Sequence, residues 1–210
     1  GIRLIKSRIP YTIIAQGGYG RQEQCIHSDI DLLVLFEKKV PGDATDLIQE
    51  IIYPLWDLGF EVGHATRSIQ ECIKLAKTDI EVLTPLLDAR FLCGMSPLYS
   101  TLMERVRSKL LSSRQSEKVI AQLIQGAMAR HHHFGDSSYL LEPNLKEGQG
   151  GLRDYHTLMW ISKIKYGLAN IKDLEFQGLL SHKEYQDLTE SLAYIWRVRN
   201  HLHHLTGRKC

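Results

Sequence analysis

Two aspartates, Asp29 and Asp31, stand two residues apart in the run Ser28-Asp29-Ile30-Asp31, at the mouth of an apolar stretch that continues from Leu32 to Phe36. If that stretch is a strand, its side chains alternate between faces, so both carboxylates point the same way. Two like charges held together cost free energy unless cations neutralise them. Mg²⁺ suits carboxylate oxygens and keeps coordination positions for water and substrate phosphates. A two-metal centre needs its ions roughly 3.5–4 Å apart, a spacing that carboxylates on one strand face can bridge. Upstream, Gly17-Gly18 ends another apolar run. Glycines let a backbone approach a phosphate closely, and the helix start that follows offers N–H groups to an anion. Arg21 adds a fork-shaped cation for phosphate oxygens and Ser28 a hydroxyl donor.

A second stretch, Leu141 to Trp160, sets glycines 148, 150 and 151 among Glu142, Lys146, Glu147, Arg153 and Asp154, directly before an apolar helix. Two readings fit it. One is a glycine-rich loop at a helix start, with Lys146 and Arg153 available to phosphates. The other is a capped loop in which Asp154 is the acidic residue of the first helical turn.

The elements that must position these groups are legible in outline. Tyr11 to Gln16 is β-branched and aromatic and reads as a strand ended by the Gly-Gly turn, with Tyr19 to Cys25 a short polar turn of one or two helical turns. Ile30 to Glu37 is a second strand. Asp43 to Leu58 carries apolar residues at helical spacing, Gly59 ends that helix, and Phe60 to Thr66 reads as a third strand. Beyond Arg67 the pattern is helical almost throughout. Ser68-x-x-Glu71, Thr78-x-x-Glu81 and Ser181-x-x-Glu184 match capping boxes, and Ser96-Pro97 opens a helix with proline where no N–H is missed. Val119, Ile120, Leu123, Ile124, Ala127 and Met128 form one stripe; Leu188, Leu192, Ile195, Leu202 and Leu205 form another. The expectation is α+β: a small mixed sheet in a domain over residues 1–90, followed by a helical, nucleotide-closing domain over residues 91–210.

The 210 residues carry 43% hydrophobic and 24% charged residues, the balance of a globular protein, with a formal net charge of only +2. A nucleic-acid binder that gains affinity by neutralising phosphates would carry more positive charge, so nucleic acid is not an expected partner. No apolar run reaches the roughly 20 residues needed to span a bilayer, and the first ten residues lack a signal peptide's features, so the expected setting is cytoplasmic, without a membrane. The cysteines at 25, 72, 93 and 210 lack metal-binding spacing and read as reduced thiols. His131, His132 and His133 point three ways on a helix and do not share one metal, and His201, His203 and His204 have no cysteine or carboxylate at zinc-finger spacing. Arg197, Asn200, His201 and His204 read as a solvated stripe on the last helix.

Strand, Gly-Gly turn, short helix and then Ser-Asp-Ile-Asp entering a buried strand resembles the DNA polymerase β-like nucleotidyltransferase superfamily. In that superfamily a third carboxylate comes from a later strand, and the resemblance makes Glu61, in Phe60-Glu61-Val62-Gly63-His64, the candidate, leaving His64 a structural role. The superfamily usually has the shorter aspartate there. Together, Gly-Gly-Tyr-Gly-Arg, Ser-Asp-Ile-Asp-Leu-Leu, Leu-Trp-Asp-Leu-Gly-Phe-Glu-Val-Gly-His, Glu-Pro-Asn-x-Lys-Glu-Gly-x-Gly-Gly-Leu-Arg-Asp and Trp-Arg-Val-Arg-x-x-Leu-His resemble the [protein-PII] uridylyltransferase/uridylyl-removing enzyme family, from residue 11 to 208. The resemblance implies a transferase that moves UMP from UTP to a tyrosine of the nitrogen regulatory protein PII. It implies Gly17 and Gly18 at the triphosphate, Asp29 and Asp31 on Mg²⁺, and Glu61 as third ligand or as base. It also implies an HD-type hydrolase and glutamine-sensing ACT domains outside these residues. One departure stands out: the family usually reads Gly-Arg-Gly-Glu-Leu where this chain has Gly20-Arg21-Gln22-Glu23-Gln24, which resembles nucleotidyltransferases fused to CBS domains. An adenylyltransferase or other nucleotidyltransferase of different substrate, and a non-catalytic nucleotide sensor, are the alternatives.

Overall fold

The computed structural model describes residues 9–42, 44–135, 144–168 and 170–207. Glu142 of the second signature and the thiol of Cys210 lie outside the described residues. The chain divides into two compact units, Gly1–Ser112 and Ser113–Cys210.

The first unit is built on β1 (Tyr11–Gln16), the one-turn helix α1 (Gly17–Arg21), β2 (Ile30–Phe36), α2 (Ala44–Asp57), β3 (Val62–Ser68), α3 (Ile69–Ala76), α4 (Ile80–Leu87), β4 (Arg90–Gly94) and α5 (Ser96–Leu110). The strands form one mixed sheet in the order β3-β2-β1-β4. β1 pairs antiparallel with both β2 and β4, whereas β2 and β3 run parallel with α2 as their crossover. This is the expected α+β class. The fourth strand is an addition to the sequence reading, which has helix almost throughout after Arg67 and no further strand. β4 is short, and its antiparallel partner lies some eighty residues away, with Thr12 opposite Gly94. Because β4 completes the sheet, the first unit runs to Ser112, past the boundary placed at residue 90.

Period-two alternation sorts the core. Ile13, Leu32 and Ile52 pack together, with Ile48 and Leu55 of α2 against them. Val34 and Phe36 meet Ala44 and Leu47 of the same helix. Ile14, Leu33 and Leu35 point the other way and are fully buried. The helices that approach the sheet there are α5, against β1 and β2, and α3, against β3. Each such side chain contributes about 1.5–3 kcal/mol by leaving water. Ser68 caps α3 in the expected box with Glu71. At α4, however, Asp79 and not Thr78 is the cap: its side chain accepts from Glu81 N–H, while Thr78 turns back to Leu75 O. The Asp79 carboxylate takes the Glu81 N–H from one residue nearer the helix, so Thr78 is displaced from that role. Cys25, Cys72 and Cys93 form no disulfide among the described residues, and burial pushes the Cys72 thiol up to about 12.

α1 ends in an unusual way. Gln22 takes the left-handed conformation, φ 62°, in which it caps the helix. That region costs an L-residue roughly 1 kcal/mol or more and costs glycine nothing. It is also the position where the resembling family usually carries glycine. Gln22→Gly is expected to raise stability by about 0.5–1 kcal/mol despite glycine's larger unfolded-state entropy. Thermal unfolding checks this, and a destabilised variant would show that the Gln22 side chain holds the turn by its own contacts.

The second unit contains α6 (Ser113–Gly135), α7 (Leu152–Tyr166), α8 (Ile171–Phe176) and α9 (His182–Thr206). α6 buries Val119 and Leu123, but Ile124 and Met128 are exposed, so its inward stripe is narrower than its apolar residues suggest. α9 opens with the expected Ser181–Glu184 box. Its most buried residues are Arg199 and His203, while Leu205 is exposed. The buried polar pair, one turn apart, was not part of the apolar stripe read from the sequence. No helix among the described residues is long and apolar enough to cross a membrane.

Candidate active site

The first unit gathers its candidate residues at one end of the sheet. β1 arrives there with Gln16 and turns at Gly17 into α1; β2 and β3 both begin there. The register sets Asp31 opposite Gln16 on one side and Gly63 on the other. The Asp31 carboxylate fits a space that two glycines leave open. A Cβ on Gly17 would lie 3.0 Å from Asp31 Oδ2, and one on Gly63 would lie 2.8 Å from Asp31 Oδ1. Gly17 also takes φ 53°, which a side chain would strain. The Gly-Gly turn and the second aspartate therefore lie together, and on the other side of the carboxylate is Gly63, which the sequence reading does not single out. Its signal was a glycine inside a strand, which marks a close approach of another group.

Asp29 is exposed, one residue before β2, with the alternation phase of Asp31. Glu61 is exposed one residue before β3. Its carbonyl accepts Ile30 N–H at 2.9 Å, which carries the parallel pairing one step beyond the strand and sets Glu61 alongside Asp29. The Trp56 indole N–H from α2 donates to Val62 O at 3.3 Å and steadies this entry. His64 turns towards the Trp56 ring, 6.2 Å between centroids, on the α2 side of the sheet. The three carboxylates thus share an end of the sheet. Among the described residues no three His, Cys, Asp or Glu side chains form a ready metal-binding cluster. The donor set is nevertheless that of a hard cation: carboxylate oxygens, with room at Asp31 that two missing Cβ atoms provide.

Ser28 closes a turn before β2. Its Oγ accepts Cys25 N–H at 2.8 Å and its own N–H donates to Cys25 O at 2.9 Å. Gly18 O accepts Glu23 N–H at 2.9 Å, tying the Gly-Gly turn to the far side of α1. Arg21 lies elsewhere than the phosphate reading expects. Its Nε donates to Glu23 at 2.6 Å and its Nη1 to the buried Asp88 carboxylate. The guanidinium thus pins α1 to the end of α4.

Lys146 and Arg153 belong to the second unit, where the glycine loop is wound on itself. Asn144 Oδ1 accepts from Lys146 N–H and Glu147 N–H, and Asn144 O from Gly148 N–H. Gly150 N–H goes to Asp154 Oδ2, Gly151 N–H to Gly148 O, Leu152 N–H to Leu145 O and Arg153 N–H to Lys146 O. These donors are used within the loop and are not directed at a ligand. Arg153 spans both Glu147 oxygens, at 3.1 and 3.4 Å, and lies over the Trp160 ring. Asp154 accepts from Arg130 at 2.5 Å and pairs with His131 at 2.7 Å. Burial alone would raise the Asp154 pKa, but the bonds from Gly150, Arg130 and His131 outweigh it and hold the carboxyl below its usual value. Of the two readings of this loop, its geometry is that of the capped one.

Gly63→Ala tests the space around Asp31. Alanine suits a strand at least as well as glycine, so folding should be nearly unchanged. The Asp31 carboxylate must move by a few tenths of an ångström or rotate away, and misplacement on the order of 1 Å costs a reacting site about a hundredfold. The expected result is a ten- to hundredfold loss of the Mg²⁺-dependent nucleotide binding that the sequence leads one to expect, in the range such displacements produce, with the unfolding midpoint kept. A loss of both together would mean that Gly63 serves only the fold.

Residues 118–210 match the family model described as GlnD PII-uridylyltransferase. Over 94% of its length the chain is 41% identical to the bifunctional uridylyltransferase/uridylyl-removing enzyme of Rhodospirillum rubrum, of which it covers 21%. It is 39% identical, over 98% of its length, to the protein of the same name from a Bradyrhizobium species, covering 22% of it. It is 41% identical, over 94%, to that of Azospirillum brasilense, covering 21%. The chain therefore spans about a fifth of the length of the curated relatives it matches. Among solved structures, a chain from a crystal structure of a toxin-antitoxin with AMP-PNP superposes with a TM-score of 0.31 at 18% identity, covering 64% of this chain and 93% of that one, a slight likeness.

Proposed function

We propose, for a chain that belongs to the PII-uridylyltransferase family, that its first unit binds UTP and transfers UMP to a tyrosine of a PII-type signalling protein, releasing pyrophosphate. The observation that carries this reading is the Asp31 carboxylate lying in the space between Gly17 and Gly63. It joins an acidic strand end to a turn on which phosphates can rest.

In this reading Gly17 and Gly18 support the triphosphate, and Ser28 is the further phosphate contact to be tested. Asp29 and Asp31 would hold Mg²⁺, which when bound neutralises phosphate charge and lowers the cost of the leaving pyrophosphate. The tyrosine oxygen attacks the α-phosphorus in line, a new P–O bond forms, and the bond to the bridging oxygen breaks towards pyrophosphate. Glu61, alongside Asp29, serves as the third ligand or takes the phenolic proton. Holding both carboxylates on one strand face supplies orientation, the largest contribution a rigid sheet end can make.

Isothermal titration of UTP, ATP, GTP and CTP, with Mg²⁺ and then with EDTA, tests the reading. The expected result is metal-dependent binding with UTP preferred by at least about tenfold, or 1.4 kcal/mol, followed by pyrophosphate release when PII is added. A preference for ATP would replace it with an adenylyltransferase. Binding without pyrophosphate release from any acceptor would make the chain a nucleotide sensor.

A further inference from the structure

We infer that Arg90, the first residue of β4, is a positioning residue for the nucleotide: it holds α1 from its C-terminal end, so that Gly17 and Gly18 stay against Asp31. The inference rests on the reading above, in which the triphosphate lies at that turn.

α1 has five residues, too few to be stable by itself. Its last carbonyls run short of intrahelical donors: the turn that follows gives Tyr19 O only a long bond from Gln22 N–H, 3.4 Å, so partners from outside are needed. Arg90 supplies them. Its Nε donates to Gly20 O at 3.2 Å and its Nη2 to Tyr19 O at 2.8 Å, while the guanidinium lies over the Tyr19 ring, 5.4 Å from the centroid. A planar fork makes both bonds at once, and a lysine ammonium does not reproduce that geometry. Two residues earlier, Asp88 receives Arg21. The short run Asp88-Ala89-Arg90 thus seats the whole of α1. It is itself fixed to α5 by Tyr99, whose hydroxyl donates to Ala89 O at 2.9 Å. At the other end α1 continues from Gln16, which is paired with Asp31. The helix is anchored at both ends, and loosening the Arg90 end leaves the Gly-Gly turn free to swing away from the carboxylate.

Two measurements on the 210-residue chain test this, with Arg90→Met, Arg90→Lys and Ser68→Ala. Ser68→Ala removes the cap of α3 and lowers stability by about 1 kcal/mol without touching α1 or the segment that seats it. Without nucleotide, Arg90→Met is expected to lose about tenfold of the hydrogen-exchange protection of the Gln22 and Glu23 amides, which bond Tyr19 O and Gly18 O, with β1 and β2 protected as before. With Mg²⁺ and UTP, its dissociation constant should rise about tenfold, Arg90→Lys should recover part of the loss, and Ser68→Ala should bind as the parent does despite lower stability. Parental UTP affinity in Arg90→Met would overturn the inference, as would equal weakening by Ser68→Ala. Should the parent bind no nucleotide, the functional reading falls, and unchanged exchange at Gln22 and Glu23 would then overturn the hold of Arg90 on α1.

Discussion

Replacing Asp31 by asparagine or alanine is expected to abolish nucleotidyl transfer and to leave the chain folded. Asp31 is the one candidate carboxylate placed by two independent constraints: its register between Gln16 and Gly63, and the open space at Gly17 and Gly63. A carboxylate held this way keeps its orientation without a cation, which is the preorganisation a metal-assisted transfer requires. In the proposed chemistry, removing the charge takes away a metal ligand, and a loss of roughly a thousandfold or more, about 4 kcal/mol of transition-state stabilisation, is the scale to expect. Stability should change by no more than about 1 kcal/mol, because Asp31 is only half-buried. Asparagine preserves shape and isolates the charge; alanine adds the loss of shape. Initial rates with labelled UTP and PII, beside thermal unfolding, decide it. An Asp31→Asn protein working at parental rate would remove the metal assignment and with it the proposed chemistry.

What the sequence made legible is what local physics controls. β1 runs from Tyr11 to Gln16 as read, because a β-branched run stopped by Gly-Gly admits little else. The boxes at Ser68 and Ser181 are in place because a capping box needs only four consecutive residues. What was illegible depends on partners far along the chain. Arg21 looks like a phosphate ligand until Asp88, sixty-seven residues away, is brought to it. β4 is too short to announce itself, and missing it placed the unit boundary at residue 90, through the segment that seats α1. The glycine loop at 148–151 left two readings open because composition does not say whether its N–H groups are already used. Asn144 and Asp154 decide that, and neither choice can be read from spacing. On α9 the apolar stripe concealed the buried Arg199 and His203, since a period identifies a face but not which polar residues that face takes in with it.

The same substitution, glycine to alanine, is expected to have opposite signs in two helices, and the larger effect falls at Gly20. By helix propensity alone, alanine should stabilise α1 by about 1 kcal/mol. The packing says otherwise. A Cβ on Gly20 would lie 2.2 Å from Asp88 O and 3.0 Å from Ala15 O, both backbone atoms that no side-chain rotation can move aside. Either α1 lifts off the Asp88-Ala89-Arg90 segment, stretching the Arg21–Asp88 pair and both Arg90 bonds, or the end of α4 gives way. Overpacking of this kind costs roughly 1–3 kcal/mol, and separating a buried ion pair adds to it. Gly20→Ala should therefore lose about 2–4 kcal/mol and lower the unfolding midpoint by roughly 8–15 °C. Gly126, exposed on α6 with nothing within 4 Å of its Cβ position, is the control, and Gly126→Ala should gain about 1 kcal/mol. Because the lifted helix carries Gly17 and Gly18 with it, Gly20→Ala should also weaken Mg²⁺-dependent UTP binding at temperatures where the protein is still folded. A Gly20→Ala protein as stable as Gly126→Ala would mean that α1 does not rest on Asp88, and the positioning of the Gly-Gly turn would need another source.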